Sequence, residues 1–149
     1  MNSEVVGREA GDVLASALAG HLGMAGPDGP YVVPVSFAHA AGKIYFHGGE
    51  GLKSRLLEQD PRVCLAATLD VRFVQGDGPC ADGFHYRSVL VFGQVRLLTD
   101  SRDRDSALRS LVAKYDPENT ETPFDAEHLG RTLVYVLDVK EVCYREQTS

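Results

Sequence analysis

The chain has no long hydrophobic run. None of its apolar stretches approaches the roughly 20 residues that a membrane-spanning helix needs. It also lacks any basic run, and its net charge is -6. Nucleic acid rewards clustered Lys and Arg, so no nucleic-acid partner is expected, and no membrane partner either. Cysteine is scarce: Cys64, Cys80 and Cys143 are odd in number and widely spaced. That excludes a disulfide framework. Without a C-x-x-C or H-E-x-x-H spacing, a structural zinc site is not expected. A G-x-G-x-x-G turn is missing, which leaves a dinucleotide-binding sheet without support. No spacing suggests a Ser-His-Asp or Cys-His arrangement. The segment MNSEVVGREAGD is acidic and polar, unlike a signal peptide. A cytoplasmic location is the expectation.

What remains is an ordinary globular composition. The chain has 149 residues, 44% of them apolar. It shows no composition break, so one domain spanning 1–149 is expected, large enough for a core without staples. Val13, Leu14, Ala17 and Leu18 share a face, which predicts a short helix over Asp12 to Ala19. Strands are predicted over His21 to Ala25, Tyr31 to Ala38, Lys43 to His47 and Val63 to Leu69. A long strand covers His85 to Leu98, bent at Gly93, and a last one covers Thr132 to Tyr144. Pro27-Asp28-Gly29-Pro30 makes the first hairpin turn. Asp70 to Gly83 reads as an irregular loop. Leu52 to Glu58 and Arg102 to Tyr115 read as helices, with a short helical turn around Glu127. Hairpin-linked alternating strands predict a mainly β fold. The expected form is a six-stranded antiparallel barrel with short helices covering its ends.

The stretch Lys43 to Leu57, KIYFHGGEGLKSRLL, concentrates the chemistry. Gly48, Gly49 and Gly51 lead from a strand into a helix. A helix start offers free N–H groups and partial positive charge, and glycines let a ligand approach the backbone. Lys53 lies in the first helical turn, against the macrodipole. A bound anion would offset that cost. The alternative is that Glu50 neutralises Lys53 and the glycines only turn the chain. Leu52 stands between Gly51 and Lys53, so this is not a P-loop.

A second group is Tyr86-Arg87-Ser88. Alternation puts Arg87 on the face of Val89 and Val91, where its guanidinium needs a phosphate, a carboxylate or an escape to solvent. His47 ends its strand beside the glycines. It is either a donor to a ligand or an ordinary strand-end histidine. In Tyr31 to Ala38, the face of Pro34, Ser36 and Ala38 is small enough to leave room for a flat molecule. Pro34 has no N–H, so that strand is an edge or carries a bulge there.

Together, GPYVVPVSF, KIYFHGGEGLKSRLLEQDPRVC and YRSVLVFGQVRLL resemble the FMN-binding split-barrel proteins related to pyridoxamine 5'-phosphate oxidase. The resemblance runs from about Asp12 to Tyr144 and is nearest to the 5-nitroimidazole-resistance (Nim) branch. It implies a six-stranded split barrel and a homodimer with FMN at the subunit interface. By position, Lys53 with Arg87 and Ser88 would hold the phosphate, and Tyr86 would lie beside them. Pro34, Val35 and Ser36 would follow the flavin ring or ribityl chain, next to Tyr45, Phe46 and His47. In the Nim branch the residue matching His47 is linked to the reaction site. Gly48 and Gly49 depart from the small hydroxyl or alanine common in relatives, which leaves backbone contacts. The basic C-terminal motif of true pyridoxamine phosphate oxidases is missing, with Arg145 the one basic residue in CYREQTS. The resemblance implies an oxidoreductase acting on a small molecule, a nitroimidazole-reductase-like activity among the options, with a nicotinamide or deazaflavin as electron donor. Three alternatives stand beside it: a deazaflavin cofactor, a haem ligated by His47, and a flavin-binding module without activity.

Overall fold

The computed structural model describes residues 6–147. Among them the elements run α1 (Arg8–Ser16), β1 (Gly20–Met24), β2 (Tyr31–Val35), β3 (Phe37–Ala40), β4 (Lys43–Gly48) and α2 (Leu52–Gln59). Then follow β5 (Arg62–Val74), β6 (Gly83–Leu97), α3 (Ser101–Tyr115), α4 (Ala126–Arg131) and β7 (Leu133–Gln147). The sheet is antiparallel and mainly local, with strand order β2-β1-β5-β6-β7-β4-β3.

Seven strands form where six were expected, because the strand Tyr31 to Ala38 divides at Ser36. Its first half pairs with β1, where Val35 faces Gly20. Its second half pairs with β4, where Phe37 faces Phe46. Pro34 cannot donate a ladder bond, and the chain changes partner two residues later. The two halves are the two edges of the sheet, so one stretch of backbone ties the edges together and closes the barrel. Val35 leads through Gly20, Ala67 and Val89 to Tyr144. Phe37 leads instead through Phe46 to Tyr135. That stagger along β7 is the shear a small closed barrel requires. The break is held by Tyr115, whose hydroxyl takes the Phe37 N–H at 3.0 Å and lies 2.8 Å from the Leu18 carbonyl.

Phe37, Phe46, Leu22, Ile44, Leu65, Val89 and Leu137 fill the interior, each fully buried. Helix α1 plugs it with Val13 and Leu14, and α2 adds Leu56 and Leu57. A smaller cluster of Ala38, Ala107, Leu108, Leu111 and Val134 seats α3 on the outside.

Several boundaries differ from the sequence expectation, those of α1 and β5 most, while β6 begins at Gly83 and β7 runs on to Gln147. Helix α1 begins a turn earlier and ends at Ser16, because Ala17 is already extended. Ala17 stays buried, but Leu18 is 75% exposed rather than on the packed face. Strand β5 continues to Val74 through the segment expected to be loop. Asp70, at φ 56, absorbs a register shift between Leu69 and Arg72, and the hairpin resumes beyond it. That kink breaks the alternation that would mark one long strand. The bend expected at Gly93 is present as a register shift against β7. A Cβ on Gly93 would lie 2.1 Å from the Asp138 carbonyl oxygen, so only glycine fits this approach.

Candidate functional site

Strand β4 pairs with β7 so that His47 faces Val134 and Gly48 faces Leu133. Alternation along β4 sends Phe46 into the core and its neighbours Tyr45 and His47 outward. Phe46 is fully buried and stacks on Tyr135 with ring centroids 5.1 Å apart. Gly48 and Gly49 then carry the chain over the barrel end to α2. The N–H of Gly51 donates to the Ser54 hydroxyl at 2.9 Å. The first turn of α2 contains no acidic residue.

Lys53 folds back from this turn onto the strand it follows. Its Nζ donates to the His47 carbonyl at 3.4 Å and lies 5.7 Å from the centre of the Phe46 ring. A Cβ on Gly48 would sit 2.8 Å from that Nζ, so the glycine makes room for the ammonium. Glu50 does not neutralise it: among the described residues Lys53 has no carboxylate partner. Glu50 instead lines a cavity of about 480 Å3 on another side of α2, with Arg55, Glu58 and Tyr135. Burial lowers the pKa of Lys53, since desolvation penalises its charge. A partly buried ammonium against a helix N-terminus, with glycine backbone around it, fits a phosphate-bearing ligand.

His47 opens on a cavity of about 140 Å3 shared with Leu108, Phe124, Leu129 and His128. Its pKa is lowered, first by burial and then by the charge of Lys53, which favours the neutral imidazole. His128 was not singled out from the sequence. Asp125 caps α4 through the His128 N–H at 3.0 Å and holds the His128 ring at Nδ1, 2.6 Å away. The D-x-x-H spacing at a helix start is the sequence signal that could have found the pair.

The remaining expected residues divide by burial. Val35 lies in the core at 6% exposure, while Pro34 and Ser36 face solvent beside it. Side chains of Val35 and Phe46 are thereby committed to packing, leaving their backbone for a ligand. Tyr45 faces a small cleft with Lys43 and Arg96. Tyr86, Arg87 and Ser88 are half-buried on β6. The Arg87 guanidinium donates to the Tyr144 hydroxyl at 3.2 Å and meets Asp70 at 3.6 Å. Within one chain Arg87 and Lys53 are not brought together. Strand β7 lies between β4 and β6, and along it His47 faces Val134 whereas Ser88 faces Arg145, far apart on the same strand.

The model of the pyridoxamine 5'-phosphate oxidase family matches residues 7–146. The chain belongs to that family. No curated protein matches it in sequence. Solved structures share its fold at low identity. A candidate 5-nitroimidazole antibiotic resistance protein from Bacteroides thetaiotaomicron is 23% identical, with a TM-score of 0.77 over 88% of this chain and 78% of that one. A flavocytochrome from Azotobacter vinelandii is 23% identical, with a TM-score of 0.82 over 99% and 68%. An FAD- and haem-binding protein from Mycobacterium smegmatis is 20% identical, with a TM-score of 0.86 over 97% and 73%. At these identities the solved structures share the fold of this chain. Among the described residues, no helix is long and apolar enough to cross a membrane.

Proposed function

We propose that the chain is an FMN-binding flavoprotein that acts as a homodimeric oxidoreductase on a small molecule. The observation that carries this reading is Lys53, whose ammonium rests on Gly48 without a carboxylate partner among the described residues. It would hold the FMN phosphate at the start of α2, with the backbone of Gly49 and Gly51 beside it. FMN, when bound, supplies the electron chemistry. The chain's own part is to position and to exclude water. Pro34 and Ser36 offer a flat, small-residue edge next to β4. His47, kept neutral, can donate or accept one proton-bearing hydrogen bond there.

The dimer is supported by apolar surface. Val71, Phe73 and Phe84 are 61%, 59% and 58% exposed, and Leu90 and Phe92 continue along the same face of β6. Phe73 and Phe84 stack edge-on at 5.8 Å, forming a stiff hairpin arm. Exposed apolar side chains of this kind, interrupted by Tyr86 and Ser88 on the same face, are what a partner subunit would cover. A partner subunit is also what would bring a second Tyr86-Arg87-Ser88 group towards the Lys53 corner. A nicotinamide is the proposed electron donor.

The second reading is a different cofactor on the same barrel, favoured by the neighbours that bind FAD and haem. The absorption spectrum of the purified protein, with the mass of the released chromophore, separates the two. FMN with its flavin bands supports the proposal. A Soret band with no flavin overturns it. Turnover of a reduced nicotinamide then separates an enzyme from a binding module.

A further inference from the structure

The cavity between β4, α3 and α4 has a composition that phosphate binding does not explain. Its body is apolar, with Leu108 from α3, Phe124 from the preceding loop and Leu129 from α4. Its polar groups are His47 on one element, His128 with Asp125 on another, and Thr132, whose hydroxyl donates to the His128 carbonyl at 2.7 Å. A carboxylate can only accept, so the 2.6 Å contact assigns the Nδ1 proton of His128 to the bond with Asp125. The other ring nitrogen, Nε2, is left free of that bond, on a side chain that is 79% exposed. Asp125 is itself fixed, because it caps α4 through the His128 N–H. The two imidazoles thus lie on separate elements and open on one apolar space of about 140 Å3. That volume suits a single ring. Small-molecule sites combine such an apolar body with a few convergent polar groups.

We propose that this cleft is a binding site for a one-ring compound bearing an O–H or N–H donor. His128, oriented by Asp125, accepts from that donor, and His47 makes the second polar contact. The proposal rests on the reading that His47 belongs to the functional site, but not on which cofactor the protein carries. His128 is therefore a ligand-contacting residue and Asp125 a positioning residue. The apolar wall of Leu108, Phe124 and Leu129 selects against multi-ring or strongly charged molecules.

The test is a phenol titration of the purified protein, followed through the ring resonances of His47 and His128 by NMR. A saturable shift of both rings is expected. His128→Ala should weaken phenol binding at least fivefold. Asp125→Asn keeps a good helix cap but removes the carboxylate that fixes the ring, and should weaken it to a similar degree. An unshifted pair of rings in wild type, or phenol binding within twofold of wild type in both variants, overturns the site. FMN affinity is measured on the same samples. Its loss in wild type would sink the flavin reading while leaving the phenol result to decide the cleft.

Discussion

At the residue scale, the chemistry of this chain comes from a few side chains held away from their ordinary state. His39 is one: its Nε2 is buried without a hydrogen-bond partner, and burial and Lys114 lower its pKa. A histidine whose folded pKa is depressed is protonated first in the unfolded chain. Stability is then full above the unfolded value of about 6.5 and falls as pH drops below it. Urea midpoints of wild type should therefore fall between pH 7.5 and pH 5.5, and those of His39→Leu should fall less. Equal losses would show that His39 does not drive the acid response. Arg87 gives a second prediction. If it serves FMN across an interface, Arg87→Ala weakens FMN more than riboflavin, which lacks the phosphate. If its bonds to Tyr144 and Asp70 are its whole role, both ligands weaken alike.

At the scale of elements, what was readable depended on how regular each element is. Strands β4 and β6 alternate cleanly over most of their length, so their presence and the bend at Gly93 followed from pattern, although β6 begins at Gly83, before the expected His85. Strand β5 did not, because Asp70 shifts the register and hides the continuation to Val74. The division at Ser36 was half legible: Pro34 announced an irregularity, but the exchange of partners depends on barrel closure, which no local pattern encodes. The glycine, lysine and histidine of the β4–α2 corner were visible because their types are unusual together. His128 was not, since its partner Asp125 looks like any helix cap. Gly93→Ala would press a Cβ into the Asp138 carbonyl. Overpacking of this kind should cost about 1–3 kcal/mol in chemical denaturation. Lys114 joins α3 to the Leu14 carbonyl at 3.1 Å and lies over the Phe37 ring at 3.6 Å. Burial lowers its pKa from 10.5 to about 8. Above about 8 the folded chain releases that proton while the unfolded chain keeps it, so stability should rise with pH between about 8 and 10.5. In Lys114→Met that rise should be reduced.

At the scale of the whole molecule, closing the barrel through β2 and β3 sets the corner and the apolar stripe on one body. The stripe along Val71, Phe73, Phe84, Leu90 and Phe92 leaves much apolar surface to cover, and a second subunit would cover it. Phe92→Asp should shift the protein to monomer in analytical ultracentrifugation and weaken FMN with it. A monomer that keeps wild-type FMN affinity would place the whole cofactor site in one chain. Both outcomes leave the anion corner itself to be judged by Lys53. The direct measurement is FMN and riboflavin titration of wild type and Lys53→Ala. Loss of a charged hydrogen bond should weaken FMN by roughly 1.5–3 kcal/mol and leave riboflavin nearly unchanged. FMN affinity equal in the two proteins would contradict the account.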